Sequence, residues 1–458
     1  MDNPNIKIGL EVHGYIDVEQ KLFCNCKINH NADPNTTICP KCTGQPGTKP
    51  MATNKDAVEK AIKIALMLNC KVNNRLLFQR KHYSWPDMTT GFQKTMSGSY
   101  AVPVGEHGNF RGIRIEECHL EEDPARWDPE TGKVDYNRSG YPLIEIVTKP
   151  DFESPEQVKE WLKALVTTLS YIQAIHKQAG IKSDVNVSIK PKYERVEIKN
   201  VNSISSIIDS AEFEIERQKK EVAAGNRIPQ QTRTWSDATN ETLFMRSKET
   251  AQDYMFIPDP DLPAIIVTEK DIDILRNTLP ESPDTKKQRL ISLGIPEEDA
   301  TVLSNEFVLV DLFEKISKEI DPALTAKWLR REVVRVANYN KQELENLLID
   351  EKHLIQLLKL VEDGNITENV AQKLLEKLMA DPFDVNEYVE KEGLKTQSDS
   401  GELEKLCNEV IAEQPDAVND YKGGNEKSLH FLIGQVMRKT RGTANPDVVR
   451  KVYEKLLE

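Results

Sequence analysis

The chain has 458 residues, too many for one ordinary hydrophobic core, so its length predicts two or three domains. Its formal net charge of −13 argues against indiscriminate binding to DNA or RNA, because that mode of binding needs many Lys and Arg residues. The sequence contains no apolar run of about 18 to 20 residues and no apolar N-terminal signal region, which predicts a cytoplasmic protein that does not enter the membrane.

The first part of the chain mixes short runs of alternating apolar and polar residues with helical patterns and many Gly, Pro and Asn residues. Helices are predicted over residues 56–68 and 155–176. This mixture is typical of an α+β domain. The proline-rich residues 258–263 predict that the domain ends near residue 265, so that it spans residues 1–265.

After this boundary the pattern becomes amphipathic and helical, with Glu and Lys on the polar face, and stays so to the end of the chain. A change to short leucine-rich helices near residue 345 predicts a helical domain over residues 266–345 and a helical tail over residues 346–458. Two basic segments, residues 327–335 and 438–441, fit either local RNA-binding faces or ordinary solvated helix faces.

The last residues of the tail carry the clearest local pattern. Leu429, Leu432 and Val436 fall on one helical face, and Gly442 suits a helix stop. The pair Asn445-Pro446 (residues 445–446) suits the start of another helix. A helical hairpin with a basic turn is therefore predicted.

Four of the seven cysteines crowd into a short segment near the N-terminus, with the spacing C-x-C, then twelve residues, then C-x-x-C. They are Cys24, Cys26, Cys39 and Cys42. Such spacing can close a tetrahedral zinc site, and a site with four cysteine ligands is structural because it leaves no open position. The sequence thus predicts a zinc knuckle over residues 24–42, with four free thiols as the alternative.

Three segments alternate so that apolar residues share one face of a strand and acidic or oxygen-bearing residues share the other. They are residues 8–13 with Glu11 and His13, residues 183–189 with Asp184, and residues 196–200 with Glu197 and Lys199. A fourth segment, residues 119–123, is the densest acidic cluster beside a histidine and contains Glu121 and Glu122.

Carboxylates on neighbouring strands repel one another unless a cation lies among them, and a divalent ion such as Mg²⁺ satisfies this need. Phosphoryl transfer requires such an ion. The alternative is that each segment shows only the solvated face of an antiparallel sheet. The alternation by itself does not bring the four segments together.

The sequence contains no phosphate-binding loop of the Walker type and no G-x-G-x-x-G motif after a strand. Arg80, Lys81 and Arg138, which lie in segments rich in Gly, Pro and aromatic residues, are candidates for phosphate contacts, with ordinary surface cations as the alternative. No signature of a serine or cysteine hydrolase is present, so we do not expect this chain to hydrolyse an amide itself.

Taken in order, these segments resemble the B-subunit family of the heterotrimeric aspartyl/glutamyl-tRNA amidotransferases. The resemblance covers the first 265 residues almost continuously and continues in the tail. The matching stretches are residues 9–13, 21–24, 39–46, 83–93, 119–123, 134–138, 142–147, 184–188, 197–203, 231–233, 245–246, 253–254, 258–262, 434–437 and 444–446.

The resemblance implies a cradle-shaped mixed α/β catalytic domain distantly similar to glutamine synthetase, followed by all-α helical and tail domains, of which the tail binds tRNA. It implies a glutamine-hydrolysing carbon–nitrogen ligase that phosphorylates the side-chain carboxylate of misacylated Asp-tRNA(Asn) or Glu-tRNA(Gln) with ATP and then amidates it. Ammonia would come from the A subunit of the family, an amidase (glutaminase), and a small C subunit would complete the complex.

The resemblance also implies roles for the residues singled out above. Mg²⁺ would be surrounded by Glu11, His13, Glu121, Glu122, Asp184 and Glu197. From the residues themselves, Lys81, Arg138 and Lys199 are predicted to contact ATP. The cysteine spacing likewise predicts that zinc is held by Cys24, Cys26, Cys39 and Cys42.

Two features bear on how far the resemblance extends. Residues 85–93 read Trp-Pro-Asp-Met-Thr-Thr-Gly-Phe-Gln, where the family usually reads Tyr-Pro-Asp-Leu-Pro-Lys-Gly-Tyr-Gln, so a contact made by that lysine is not expected here. Helical patterns follow residue 262 directly, where the archaeal relative specific for Glu-tRNA(Gln) carries a synthetase-like domain. This favours the B subunit proper.

Two other functions fit the same residues. One is a noncatalytic scaffold, a zinc-clipped protein that binds tRNA and whose acidic strand faces are merely solvated. The other is a self-contained ATP-dependent amide ligase that acts on a small acid. Co-purification with an amidase would separate both from the amidotransferase.

Overall fold

The computed structural model describes residues 5–175, 181–190, 192, 194–247, 255–397 and 400–457. The chain divides into two compact units, Met1–Ser282 and Pro283–Glu458. The first is rich in strands and the second is helical, which confirms the predicted α+β class. The boundaries near residues 265 and 345, with the functions assigned to each part, stay predictions.

The first unit contains, within its described residues, strands β1–β16 and helices α1–α4. The strands are β1 (Ile6–Tyr15), β2 (Lys71–Val72), β3 (Arg75–Leu76), β4 (Gln79–His82), β5 (Phe92–Thr95), β6 (Gly105–Phe110), β7 (Ile113–Glu122), β8 (Arg126–Trp127), β9 (Val134–Asp135), β10 (Pro142–Thr148), β11 (Ile181–Ile189), β12 (Val196–Val201), β13 (Gln231–Ser236), β14 (Glu241–Ser247), β15 (Met255–Pro258) and β16 (Ile265–Ile266). The helices are α1 (Lys55–Met67), α2 (Pro155–Tyr171), α3 (Ile204–Ala223) and α4 (Glu269–Asn277).

The main sheet follows the order β14-β13-β12-β11-β1-β10-β7-β5-β4-β15, with β6 joining β2 to β7. Ten strands about 4.8 Å apart would separate the two edge strands by roughly 43 Å if the sheet were flat. Ser247 of β14 and Met255 of β15 are joined by a linker that spans at most about 29 Å when fully extended. The sheet must therefore curve.

The alternation predicted for the central strands is confirmed. Ile8, Leu10 and Val12 of β1 are buried, whereas Glu11 and His13 lie on the opposite, partly open face. Strand β11 shows the same alternation. A slip of one residue in the pairing would exchange the two faces and bury the carboxylates, so the apolar residues fix the register that positions the polar ones.

Helices α1, α2 and α3 contribute to the hydrophobic core on the apolar side of the sheet. Asn54 caps α1 and Ser154 caps α2, each accepting a hydrogen bond from a backbone N–H of the first turn. Helix α2 ends at Tyr171, earlier than predicted, because Gln173 adopts a φ of 48° and Ile175 forms an isolated bridge with Ile16, just after β1. His176, where the predicted helix ended, lies outside the described residues.

The second unit contains helices throughout its described residues. They are α5 (Pro283–Ser292), α6 (Glu297–Asn305), α7 (Phe307–Ile316), α8 (Pro322–Trp328), a π-helical turn (Leu329–Val333), α9 (Val334–Tyr339), a 3₁₀ turn (Leu344–Asn346), α10 (Glu351–Glu362), α11 (Glu368–Ala380), α12 (Val385–Lys391), α13 (Ser400–Glu413), α14 (Pro415–Lys422), α15 (Glu426–Lys439) and α16 (Pro446–Leu457). In the described part of the chain, no helix has both the length and the apolarity needed to cross a membrane.

Helices α15 and α16 form the predicted hairpin and share a core with α13. Gly442 in the turn has a φ of 91°, a left-handed conformation that a side chain would disfavour, which accounts for glycine at this helix stop. The carbonyl of Gly442 accepts a hydrogen bond from the hydroxyl of Thr367, just before α11. This contact ties the hairpin to the preceding helices of the same unit.

Candidate functional site

Strand β1 lies at the centre of the sheet and brings the predicted polar residues together. Glu11 stands opposite Asp184 of β11, and His13 stands between Lys182 of β11 and Glu145 of β10. Because side chains directly opposite on neighbouring strands point to the same face, these residues gather on one surface. The sheet thus joins segments that are far apart in the sequence.

The first cluster, which we call the His–Glu group, consists of His13, Glu121 and Glu145, with a ligand atom of each within 4.8 Å of the others. The Nε2 atom of His13 lies 3.3 Å from Oε2 of Glu145 and 3.9 Å from Oε1 of Glu121. His119 on β7 is buried beside this group. Its Nε2 atom lies 3.2 Å from Oε2 of Glu145, and its Nδ1 atom lies 3.1 Å from Oε1 of Glu117. Two imidazoles therefore alternate with carboxylates across β1, β10 and β7.

The ionisation of this group follows from these short distances. Burial would lower the pKa of His13, but Glu145 and Glu121 outweigh it and raise the pKa to about 9. Burial raises the pKa of Glu121, and the nearby charge of Glu145 adds to the effect. Burial opposes the charge of Glu145 as well, yet His13 and His119 hold its pKa well below the usual range. The group therefore keeps its negative charge only where a cation faces it.

The second cluster, the three-carboxylate group, consists of Glu11, Asp184 and Glu197, again with ligand atoms within 4.8 Å of one another. The Nζ atom of Lys199 lies 2.7 Å from Oδ2 of Asp184 and 3.1 Å from Oε1 of Glu197. The side-chain amide of Asn186 donates a hydrogen bond of 3.1 Å to Glu11. Lys199 is thus the cation that balances part of this negative charge.

The pKa values show that the balance is incomplete. Burial raises the pKa of Glu11, and the charges of Glu145, Asp184 and Glu197 raise it further. Burial would also raise the pKa of Glu197, but Lys199 lowers it below its usual value. A hard divalent cation with oxygen ligands would relieve the repulsion at Glu11, and the carboxylates of the group are the donors that such an ion prefers.

A cavity of about 250 Å³ opens beside both groups. His13 and Glu121 line it from one group and Asp184 from the other. Lys182 and Asp123 line the same cavity. The cavity therefore offers carboxylates, an imidazole and an ammonium group to one ligand.

The cationic side of the cavity is organised around Asp123. This carboxylate accepts a hydrogen bond of 2.7 Å from the hydroxyl of Tyr15, and Nε of Arg138 lies 2.7 Å from its Oδ2 atom. The carbonyl groups of Pro124 and Ala125 accept further hydrogen bonds from Arg138. These contacts hold the guanidinium beside Asp123 and Pro124, which line the cavity, whereas Arg138 itself is not among the lining residues.

The other two predicted phosphate contacts lie near the two clusters. Lys81 lies on β4, and its positive charge partly opposes the rise in the pKa of Glu121, so it lies on the side of the His–Glu group. Lys199 lies within the three-carboxylate group rather than beside it.

Glu122 does not join the other predicted ligands. It follows Glu121 on β7, so its side chain points to the opposite face of the sheet. There it forms ion pairs with Lys41 at 2.7 Å and with Lys94 at 3.0 Å. This carboxylate is therefore paired with the buried Lys94 and the partly buried Lys41.

Glu145 takes a central place that sequence reasoning did not assign to it. It lies in the stretch of residues 142–147, which reads as a largely apolar run, so no acidic cluster drew attention to it. Its register opposite both His13 and His119 gives it its role in the His–Glu group. The pairing joins strands that are distant in the sequence. Before the structure, only the match of residues 142–147 to the family pointed to this segment.

The four predicted cysteines also come together. The Sγ atom of Cys42 lies 3.6 Å from that of Cys24, 3.7 Å from that of Cys39 and 3.8 Å from that of Cys26. Four sulfurs held about 2.3 Å from a tetrahedral zinc ion would lie roughly 3.8 Å apart, so the cluster has the size of a zinc site. A hydrogen bond from Cys24 and the ammonium of Lys21 lower the pKa of Cys42 to about 4, which favours the thiolate.

The basic segment predicted around residues 327–335 is largely neutralised by acidic partners. Lys327 is paired with Glu368 at 2.7 Å, and Arg335 with Glu376 at 3.0 Å. Arg330 is paired with Asp299 at 2.7 Å. In the second basic segment, Lys439 is paired with two glutamates of α13, whereas Arg438 and Arg441 are exposed. The hairpin turn therefore presents more unneutralised charge than residues 327–335.

Comparison with known proteins gives the same family as the sequence motifs. Residues 6–273 match the family model described as the GatB/GatE catalytic domain, and residues 311–457 match the one described as the GatB domain. The chain is 42% identical to the B subunit of the aspartyl/glutamyl-tRNA(Asn/Gln) amidotransferase of Methanocaldococcus jannaschii, over 100% of this chain and 99% of that protein. The B subunit from Methanothermobacter thermautotrophicus is also 42% identical, over 96% of this chain and 98% of that protein.

A third relative, the B subunit from Methanococcus maripaludis strain S2, is 41% identical over 99% of both chains. The two family models together reach from the first described strand to the last helix. The chain therefore belongs to the GatB/GatE family, together with the B subunits of the aspartyl/glutamyl-tRNA(Asn/Gln) amidotransferases.

Proposed function

We propose that this chain activates and amidates misacylated Asp-tRNA(Asn) or Glu-tRNA(Gln) as part of a glutamine-dependent amidotransferase. ATP phosphorylates the side-chain carboxylate of the tRNA-bound amino acid, and ammonia then displaces phosphate to give Asn-tRNA(Asn) or Gln-tRNA(Gln). Family membership supports the overall reaction. The observation that carries the assignment to this site is the cavity flanked by two clusters of ionisable groups.

The residues of the site fit Mg²⁺. Glu11, Asp184 and Glu197 offer three hard oxygen donors within 4.8 Å, and the raised pKa of Glu11 reflects their mutual repulsion. His13, Glu121 and Glu145 offer a second set. Mg²⁺ bound at these carboxylates would neutralise charge on the phosphates of ATP during the transfer.

The protein itself orients the reactants around the metal-binding groups. Asp123 and the carbonyls of Pro124 and Ala125 fix Arg138 beside the cavity, where its guanidinium would contact an anionic group of ATP. Lys81 would act from the side of Glu121. These fixed cations stabilise the charge that develops on the transferred group without having to reorganise.

The knuckle formed by Cys24, Cys26, Cys39 and Cys42 would hold zinc in a structural role, because all four ligand positions are filled by the protein. Such a site carries a net charge of about −2, since four thiolates surround a divalent ion. The Nζ atom of Lys21 lies 3.3 Å from Sγ of Cys42. Burial would lower the pKa of Lys41, but the charges of Glu122, Cys24 and Cys42 raise it above its usual value. These two lysines supply the compensating charge.

The partners follow from the same proposal. Ammonia comes from the A subunit, an amidase (glutaminase), a small C subunit completes the heterotrimer, and the helical tail of this chain binds the tRNA. Exposed Arg438 and Arg441 in the hairpin turn support the tail as an RNA contact. The reaction takes place in the cytoplasm, where misacylated tRNA is available to the complex.

The decisive experiment measures conversion of Asp-tRNA(Asn) and Glu-tRNA(Gln) by the purified complex of this chain with its partner proteins. Glu121→Gln should abolish ATP-dependent amidation while tRNA binding is retained. Glu116→Gln is the matched control, because Glu116 lies exposed on the same strand and away from the cavity. Retained amidation in Glu121→Gln would favour a noncatalytic scaffold, and amide synthesis by the chain without tRNA and partners would favour a small-acid ligase.

A further inference from the structure

Lys182 is a cation of the cavity that has no role in the assignments above. It lies on β11 two residues before Asp184, on the same face of the sheet, and stands directly opposite His13 of β1. Its side chain is partly buried and lines the cavity together with His13 and Asp184. It is therefore adjacent to both metal-binding groups.

The surroundings of Lys182 leave its charge uncompensated. The charges that act on it are those of Arg138 and Arg126, which are positive, and that of Asp123, which is negative. Asp123 is already engaged by the hydroxyl of Tyr15 and by Arg138 at 2.7 Å each. In the part of the chain that the structure describes, the ammonium of Lys182 has no carboxylate within ion-pair distance, and its one recorded contact is with the ring of Tyr15, 6.0 Å from the centroid.

A partly buried ammonium without a counterion is costly unless an anionic ligand supplies the missing charge. The cavity thus has two sides of opposite character: carboxylates that attract a metal ion, and cations gathered around Asp123. A ligand that satisfies both sides needs several anionic oxygens that point in different directions. A phosphoryl group has three, whereas the side-chain carboxylate of the substrate has two and must keep a lone pair free to attack phosphorus.

We propose that Lys182 contacts the phosphoryl group while it moves from ATP to the side-chain carboxylate, a role that rests on the function proposed above. In this step a carboxylate oxygen forms a bond to the γ-phosphorus as the bond to the β,γ-bridging oxygen breaks, and ADP leaves with that electron pair. Ammonia then forms the C–N bond and inorganic phosphate leaves, taking up one proton of the ammonia. Lys182 and the metal would bind different oxygens of the same group.

The test compares Lys182→Met and Lys182→Arg in the complete amidotransferase complex. Loss of one charge-assisted contact to the transferred group should lower kcat of amidation about ten- to hundredfold. We expect KM for the misacylated tRNA to stay within about twofold, and glutamine hydrolysis in the absence of the other substrates to be unchanged. Lys182→Arg should recover most of the activity because it keeps the charge.

Binding measurements separate the phosphoryl contact from other roles. With Mg²⁺ present, Lys182→Met should weaken binding of the non-hydrolysable analogue AMP-PNP about tenfold or more while leaving ADP binding unchanged, because only AMP-PNP carries a γ-phosphoryl group. Lys190→Met is the matched control: Lys190 immediately follows the same strand and is exposed. Equal thermal stability of the variants excludes a folding defect.

Other outcomes would overturn the proposal. Unchanged AMP-PNP affinity with a raised KM for Asp-tRNA(Asn) would assign Lys182 to the substrate carboxylate. Equal loss of AMP-PNP and ADP binding would assign it to another part of the nucleotide. A wild-type complex that amidates tRNA without binding AMP-PNP would contradict the proposed function of the site itself, a result distinct from any change caused by Lys182→Met.

Discussion

The Nζ atom of Lys41 lies 2.7 Å from Oε2 of Glu122 and so connects the four-cysteine knuckle to strand β7. Lys41 immediately precedes Cys42, one of the four thiols. Glu122 immediately follows Glu121, which points to the opposite face and lines the cavity. The buried Lys94 holds the other carboxylate oxygen of Glu122 at 3.0 Å. The knuckle therefore supports a strand that carries part of the candidate active site.

We predict that Glu122→Gln lowers the free energy of unfolding by about 3 kcal/mol at neutral pH, because it leaves the buried Lys94 and the partly buried Lys41 without their shared counterion. Urea denaturation followed by circular dichroism measures this change. Glu116→Gln is the control, since Glu116 is exposed and its pairing with Lys149 should contribute little. A loss below about 1 kcal/mol would show that the pair is not important for stability.

The same ion pairs predict a pH dependence. Burial opposes the charge of Glu122, but Lys41 and Lys94 outweigh burial and lower its pKa to about 2. The unfolded value is about 4.3, so the stabilisation is complete above that pH and disappears as the pH falls towards 2. The difference in unfolding free energy between wild type and Glu122→Gln should therefore shrink between about pH 4.5 and pH 2. A constant difference would contradict this assignment.

Zinc content provides a further prediction. Wild-type protein purified without chelators should contain about one equivalent of zinc, and Cys42→Ser should contain less than about half. Cys407→Ala is the control, because Cys407 is buried in the core of the tail and has no part in the knuckle. Zinc removal should also reduce amidation, since Lys41 links the knuckle to Glu122 on β7. Unchanged amidation by zinc-free protein would limit the knuckle to local folding.

The sequence predicts which face of a strand each side chain occupies better than it predicts which strands pair with one another. Alternation placed Glu11 and His13 on one face of a strand, and the structure agrees, because a period of two depends on local residues alone. The pairing of β1 with β10 depends on contacts about 130 residues apart, so Glu145 could not be placed beside His13 by alternation. The acidic run at residues 119–123 does not form one cluster in the fold, because alternation along β7 sends Glu122 to the face opposite Glu121.

The position of Lys199 predicts how the three-carboxylate group responds to metal. Lys199→Met removes the ammonium that lies within about 3 Å of Asp184 and Glu197, so the carboxylates lose their internal counter-charge. We expect a lower melting temperature without metal and a larger increase on addition of Mg²⁺ than in the wild type. Differential scanning fluorimetry with and without Mg²⁺ measures both changes.

The control for this variant is Lys7→Met, which removes a more exposed lysine of strand β1 that pairs with Glu153. It should leave the response to Mg²⁺ unchanged. An identical increase in melting temperature for wild type and Lys199→Met would mean that Mg²⁺ does not bind at the three-carboxylate group.

The tail should contribute to tRNA binding without being needed for the chemical step. Helices α13, α15 and α16 share a hydrophobic core of their own, so a truncation after Thr396 removes that core as a whole, although it also breaks the hydrogen bond from Thr367 to Gly442. We expect KM for misacylated tRNA to rise at least about tenfold, with kcat at saturating tRNA largely retained. Arg441→Ala in the full chain is the milder test, and an unchanged KM for tRNA in both variants would exclude the part of the tail after residue 396 from tRNA binding.

The order of the chemical steps gives the last prediction. A carboxylate is a poor electrophile because its negative charge repels the nucleophile and oxide is a poor leaving group, so ammonia cannot attack before phosphorylation. Glu121 and Asp184 line the cavity from the two clusters. Under the proposed function they would hold Mg²⁺ for phosphoryl transfer, so we expect both to act before the amidation step.

Glu121→Gln and Asp184→Asn should therefore lose ATP-dependent activation, by about a hundredfold or more if each removes a metal ligand. Glutamine hydrolysis by the partner glutaminase should fall only as far as it is coupled to activation. Free ammonium chloride, which bypasses the glutaminase, should not restore amidation in either variant, whereas it should sustain amidation by wild type when the glutaminase is inactivated. Restored amidation would place the two carboxylates in ammonia delivery, because a defect in activation precedes the step at which ammonia enters.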